Sequence, residues 1–469
     1  MNKSLIYKRS LASRKGSLAK FKGVSHDMYS TNIPIEYAEE QVNLRESNGV
    51  LVPSITFENY FIDSLDFRYF PPFNIIMTHH TKGEENKRPN MIFLTHDRTI
   101  VYTPTPSEDG QYSYTYWDIY KDVNSYANFE IDNVVYCLFT DGDKSIMSFN
   151  GRSFEKHEVG YAFSNMCNHF MRLFASEKND SKLYFSAVFD PYNFNVSIDE
   201  GGYINMPKEN GAINQMISFN DSLIIIQERG MSKLLAGIEQ QEFSMSYINI
   251  ENDIIKNTAV FCMDKIVYCS MSGIGIFNGY ESKIYFRELG DLFRDKKITG
   301  AYKDGKCYYA LFGRSNGITT TKILIIDLVD MSYHIAENYF GDSIFGCRVN
   351  GLRTVFCYYT DDVLEKERNN SLDFILDEGC NKDMVWRSGS IDFGESGLYK
   401  MVKSVVFGGK TTINFRVVAD GKNYSYVVRD DRKLTLNLKG MEFKFEIRPQ
   451  GNNVSLPSPI IEYQVMENV

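Results

Sequence analysis

Three histidines, His79, His80 and His96, with Asp97 beside the last, form the densest group of side chains in this sequence that a metal ion would use. Adjacent residues of a strand point to opposite faces, so His79 and His80 are poor joint ligands for one ion, and the group reads as ordinary strand-end or loop histidines. Acidic pairs at Asp199-Glu200 and Asp361-Asp362 have the right type for glycoside hydrolysis. That chemistry needs two carboxyls roughly 5 to 10 Å apart across a bond, whereas these are sequence neighbours that solvated turns explain. Gly273, Gly275 and Gly279 in SGIGIFNG lie inside a hairpin-like run, where turn duty is the better reading than phosphate binding. No GxxxxGK[ST] loop and no GxSxG elbow occurs. Tyr112, Tyr114, Tyr116, Trp117 and Tyr120 offer a face on which a sugar would stack, although alternating aromatics in a strand more often build core. The expectation is a protein that is not an enzyme and holds neither cofactor nor metal.

The first 23 residues carry Lys3, Lys8, Arg9, Arg14, Lys15, Lys20 and Lys22 and no acidic residue. This basic arm is either a mobile, solvated terminus or a docking element, and Lys8, Arg9, Arg14, Lys15, Lys20 and Lys22 are its candidate partner contacts. The chain as a whole has net charge −9, which argues against a surface that is one large nucleic-acid footprint. Its apolar runs, such as Leu223 to Ile226 or Ile323 to Ile326, are far shorter than the roughly 20 residues of a membrane-spanning helix. Eight cysteines without a CxxC pair lie mostly in apolar strand-like runs, as buried thiols do, which fits assembly in a reducing cytoplasm. Met1 to Gly23 has no apolar core of the signal-peptide kind, and the sequon Asn195-Val196-Ser197 has no meaning without a secretory route.

What would position any such group is a β framework. Among 469 residues there are 31 Tyr and 33 Phe, and short runs rich in Val, Ile, Tyr and Phe recur throughout. Seven of these runs begin at an Asp or Asn turn: Asn90, Asp132, Asp180, Asp221, Asp264, Asp304 and Asn350. Successive intervals are 42, 48, 41, 43, 40 and 46 residues, the spacing of propeller blades built from four-stranded sheets. Within units, a further strand closes at Gly151, Gly237 and Gly279. The fold predicted is all-β, a β-propeller of six to seven blades followed by a small antiparallel β-sandwich; a sandwich alone is the competing architecture. Residues 1–49 are read as the basic arm and lead-in, 50–367 as the propeller, 368–387 as a linker and 388–469 as the sandwich. In the last of these Ile413, Phe415, Val417, then Leu434, Leu436, Leu438, then Phe443, Phe445, Ile447 alternate with polar residues. The run Val50 to Phe57 is expected to pair into the last blade and close the ring.

Three stretches carry a family resemblance. Gly23-Val24, Pro34, Ala38, Asn43 and Gly49 to Leu51 form the first; Asp264, Ile266, Ser270, Gly273, Ile274, Phe277 and Gly279 the second; Gly389, Asp392, Phe393 and Gly394 the third. Together they resemble the β-propeller virion proteins of tailed bacteriophages, of the tail nozzle, tail tubular or packaged-DNA stabilisation type. The resemblance implies a structural subunit of the virion tail, assembled in the bacterial cytoplasm, with about six copies in a ring that viral DNA traverses and is retained by before ejection. Its partners would be copies of itself and portal-adjacent or other tail proteins. An acidic lining would repel phosphate and let DNA slide, leaving the basic arm to hold a neighbouring protein. The chain departs from the larger nozzle proteins in being short. The alternative is a receptor- or glycan-binding tail protein contacting the host surface, and a third reading is a propeller glycosidase.

Overall fold

A computed structural model describes residues 13–18, 21, 23–24, 37–54, 56–59, 73–79, 82–83, 90–95, 99–106, 112–117, 125–140, 142–197, 200–250, 253–289, 293, 298–312, 321–329, 331–339, 343–349, 352–358, 372–376, 383–429, 433–451 and 454–466. The chain is all-β and forms two compact units, each assembled from separated segments: 57–323 with 339–375, and 1–56 with 324–338 and 376–469.

The first unit is built on a β-propeller. Among the described residues six four-stranded sheets and one further hairpin follow one another as its blades. Blade 1 is Phe73–His79, Asn90–Thr95, Thr99–Pro106 and Tyr112–Trp117; blade 2 is Ser125–Ile131, Val134–Thr140, Ser145–Phe149 and Phe154–Glu158. Blade 3 is Phe163–His169, Arg172–Glu177, Lys182–Phe185 and Gly202–Asn205; blade 4 is Ile213–Phe219, Ser222–Gln227, Gly230–Leu235 and Ser244–Ile248. Blade 5 is Val260–Cys262, Lys265–Ser270, Gly273–Phe277 and Ser282–Tyr285; blade 6 is represented in this unit by the hairpin of Ile298–Asp304 and Cys307–Phe312. Blade 7 is Ser343–Val349, Leu352–Tyr358, Leu372–Leu376 and, from far earlier in the chain, Thr56–Asn59. From blade 2 to blade 7 the first strand of each blade packs beside that of the next, blade 1's first strand packs beside the second strand of blade 2, and blade 7's first strand returns to blade 1's, so the ring closes. Closure thus comes from Thr56–Asn59, overlapping the expected run only at its end; Val50–Pro53 pairs instead with Leu44–Ser47 and Leu456–Pro457.

Each blade is covered on both sides, which is why its second strand needs a continuous apolar run and not an alternating one. Ser222–Gln227 is buried throughout. Leu223 and Ile225 pack toward Phe174 and Phe185 of blade 3, while Ile224 and Ile226 pack toward Ile266, Tyr268 and Phe277 of blade 5. Burying one such side chain contributes about 2 kcal/mol. Polar clamps fix the spacing: Asn165 Nδ2 donates to Ile213 O at 3.1 Å and Gln215 Nε2 to Ala259 O at 2.6 Å, each just after a bulge in the first strand of its blade. Gly275 has a role the sequence reading missed, since the Tyr268 ring lies where its Cβ would be, 2.0 Å from Cζ. Gly273 and Gly279 do turn duty at positive φ.

Of the seven sequence anchors, Asn90, Asp132, Asp221, Asp264 and Asp304 fall at the start of a second strand, and Asn350 lies outside the described residues. The exception is Asp180, which precedes the third strand of blade 3. There the first hairpin turns through Phe170 and Met171, both at positive φ, with no Asp, Asn or Gly to mark it. The closing runs at Gly151, Gly237 and Gly279 are third strands of their blades.

The other unit is a sandwich. One sheet runs Arg14–Ser17, Ile460–Met466, Tyr399–Val406, Lys433–Gly440; facing strands run Ala38–Val42, Val385–Ser388, Phe443–Gln450, Thr412–Ala419, Lys422–Val428. Thr412–Ala419 alternates strictly between half-buried and buried positions, and the buried half joins Trp386, Phe443, Phe445, Val402 and Ile461 in one core. The described part of residues 1–49 is built into this unit: Arg14–Ser17 as an edge strand and Ala38–Val42 beside Val385–Ser388. Residues 368–387, read as a linker, contain the third strand of blade 7, Leu372–Leu376, and most of Val385–Ser388.

Candidate interaction surface

Antiparallel blades send the turns between strands one and two, and between three and four, to one face of the ring. On that face the turn residues differ sharply from blade to blade. Blade 2 uses Asp132-Asn133, both at positive φ, the chemistry that a tight hairpin favours because short polar side chains tolerate the left-handed region. Blade 3 places Phe170 (φ 45°) and Met171 (φ 57°) there, and blade 5 places Met263 (φ 49°) before Asp264. Phe189, in the loop between strands three and four of blade 3, is also at positive φ, 60°. Bulky residues are strained in this region by about 1 kcal/mol or more each.

These strained side chains are not repaid by burial. Phe170, Met171, Phe189 and Met263 are 44, 42, 59 and 43% exposed, and Ile238 and Tyr280 on the third-to-fourth-strand loops of blades 4 and 5 are 59 and 92% exposed. Phe189 N donates to Met171 O at 2.8 Å, which holds the two loops of blade 3 together.

Arg172 anchors the patch from below. It is 2% exposed. Its Nη1 donates to Ser186 O at 2.6 Å and Glu200 O at 2.9 Å, its Nη2 to Ile238 O at 2.8 Å, and the guanidinium stacks over Phe185 and Phe243 at 5.7 and 5.9 Å. One buried cation so ties the loops of blades 3 and 4 into a fixed surface. His169 lies next to Phe170, ring centroids 4.5 Å apart, with its Nδ1 2.8 Å from Ser218 Oγ. Burial pushes its pKa down to about 4, so it is neutral at pH 7 and adds no charge to the apolar patch. Asp221 is held below the usual carboxylate range, first by its hydrogen bond with Ser222.

The residues singled out from sequence fall elsewhere. Arg14 Nη1 donates to Glu395 Oε1 at 2.6 Å, a partner that raises its pKa further; Lys15 is exposed beside Glu462 in the register. Lys8, Arg9, Lys20 and Lys22 lie outside the described residues, as do His80, His96, Asp97, Asp199, Asp361 and Asp362. His79 is a core residue, 2.7 Å from Val135 O and edge-on to Phe149. No group of three potential metal ligands occurs among the described residues. Tyr112–Trp117 is the outermost strand of blade 1, with Tyr112, Tyr114, Tyr116 and Trp117 paired to the third strand; Tyr120 lies outside the described residues. Cys137, Cys167, Cys262, Cys269 and Cys307 are free thiols, and burial pushes those of Cys167 and Cys269 up to about 12.

The positions behind the family resemblance are structural. Ile266, Ile274 and Phe277 are fully buried, a Cβ on Gly23 would lie 2.8 Å from Tyr333 O, Asn43 Nδ2 bonds Asp383 O at 2.9 Å, and Asp392 Oδ1 accepts from Gly394 N at 2.9 Å. The sequence does not announce the patch, because the turn at Phe170-Met171 lacks the Asp, Asn or Gly that marks the other hairpins.

No protein-family model matches the chain, and no curated protein matches it. Among solved structures, the chain is similar to that of BBS1N in complex with ARL6DN, at 9% identity and a TM-score of 0.37, over 70% of this chain and 95% of that one. No helix among the described residues is long and apolar enough to cross a membrane.

Proposed function

We propose that the chain is a non-enzymatic structural subunit of a phage tail, and that the apolar turn face of its propeller is where it meets further copies of itself. The observation that carries the reading is the set Phe170, Met171, Phe189 and Met263, solvent-exposed at positive φ. A monomer gains nothing from such residues, whereas an interface recovers the cost by burying them. The three phrases that resemble tailed-phage propeller proteins supply the setting: about six copies in a closed ring, next to portal-adjacent or other tail proteins, in a virion assembled in the host cytoplasm. With net charge −9 per copy, such a ring repels the phosphates of the DNA it retains and later passes. The basic arm, with Arg14 already tied to Glu395, is assigned to protein contacts.

Light scattering coupled to size exclusion on the purified protein, with gold-labelled antibody on purified particles, tests this reading. A closed ring and label at the tail are expected; a monomer at all concentrations, absent from particles, would overturn it.

A further inference from the structure

The opposite face of blade 4 carries a cleft of about 410 Å3, within the roughly 300 to 1,000 Å3 of small-molecule sites. Its walls are the connection from blade 3 (Pro207, Glu209, Asn210), the turn between strands two and three of blade 4 (Arg229, Gly230), and the end of strand four with the residues after it (Tyr247, Asn249). Met231, 1% exposed, helps line it.

The cleft is preformed. Arg229 N donates to Asn210 O at 3.0 Å and Glu228 N to Ala212 O at 3.1 Å. The buried Gln227 amide donates to Pro207 O at 3.0 Å and Gly211 O at 2.7 Å. A Cβ on Gly230 would lie 2.5 Å from Asn210 Nδ2, so this glycine makes the room in which the Asn210 amide sits.

We propose that this cleft binds a carboxylate-bearing sugar. The inference stands on the cleft's own chemistry and does not depend on the assembly reading. Arg229 has no ion-pair partner among the described residues, and neither has Glu209; Tyr247 is 65% exposed. A free guanidinium calls for a planar anion, which it grips with two parallel hydrogen bonds. A free carboxylate calls for hydroxyl donors, and the Asn210 and Asn249 amides both donate and accept. The open ring of Tyr247 calls for an apolar face such as the C–H side of a pyranose. Inorganic phosphate meets the first demand and has no apolar face to offer the Tyr247 ring. A neutral sugar meets the others and leaves Arg229 unpaired. A sugar acid meets all four.

The test is calorimetric titration of the full chain with trigalacturonate, glucuronate, maltotriose and inorganic phosphate. Saturable uronate binding is expected, at least tenfold weaker in both Arg229→Gln and Tyr247→Ala. Maltotriose should bind at least tenfold more weakly than trigalacturonate, and phosphate without saturation. Tighter binding of the trimer than of glucuronate would identify an acidic polysaccharide as the source, and equal binding a free sugar acid. Both substitutions are at exposed positions, and circular dichroism checks the fold. No saturable uronate binding, binding unchanged in Arg229→Gln, or phosphate bound as tightly as uronate would overturn the proposal.

Discussion

The two faces of the propeller are made by the same strands and differ only in what their loops carry. On one, strained apolar residues project from turns that Asn and Gly would make more cheaply, held by the buried Arg172. On the other, around blade 4, charged and amide side chains without an ion-pair partner among the described residues stand around a cleft that Gly230 helps to line. The first face has the chemistry of a surface meant to be covered by protein; the second, of one meant to hold a small polar ligand. Loops on a rigid repeat can diverge in this way because the blade cores, with Leu223 to Ile226 buried on both sides, do not depend on them.

The largest expected effect separates the faces by removing the anchor of one. Arg172→Leu leaves the carbonyls of Ser186, Glu200 and Ile238 without their donor and should lower stability by about 3 kcal/mol or more, read as a fall in the urea midpoint. Limited proteolysis should then cut the loops at 186–201 and 236–243 while uronate binding at the cleft persists; loss of both together would break the comparison.

A smaller effect comes from pH. The His169 pKa is lowered from 6.5 to about 4 by burial, so the unfolded chain takes up this proton before the folded one does. Its contribution is complete above pH 6.5 and declines as pH falls toward 4. Buried His334, lowered to about 3, acts in the same direction in the other unit. Thermal unfolding at pH 7, 5.5 and 4.5 should show a steeper acid decline in the wild type than in His169→Gln; equal slopes would remove His169 from the account. Smaller again is the clamp between blades 4 and 5: Gln215→Leu, losing the 2.6 Å bond to Ala259 O, should cost about 1 kcal/mol and leave both faces intact.

How much of this was legible beforehand depended on whether a residue obeyed local rules. Turns at Asp132, Asp221, Asp264 and Asp304 announced themselves because Asp, Asn and Gly accept the geometry a hairpin demands, and so the blade period could be read. The alternation of Ile413, Phe415 and Val417 exposed the sandwich for the same reason, one face buried and one not. Phe170 and Met171 broke the rule and were hidden by it, which moved the blade 3 anchor to Asp180. Ring closure by Thr56–Asn59 and the placing of Arg14–Ser17 against Ile460–Met466 join residues hundreds apart in sequence, and no periodicity encodes them. The cleft was equally silent, because Glu209, Arg229 and Tyr247 meet only once three connections are folded together.

The most direct test of the central claim makes the apolar turn conventional. Phe170→Asn with Met171→Gly supplies residues that suit positive φ at both positions and should raise monomer stability by about 1 kcal/mol. Light-scattering mass of this double variant beside the wild type then decides the matter. The account predicts a more stable protein that no longer associates; a variant that is stabilised and still forms the wild-type assembly would contradict it.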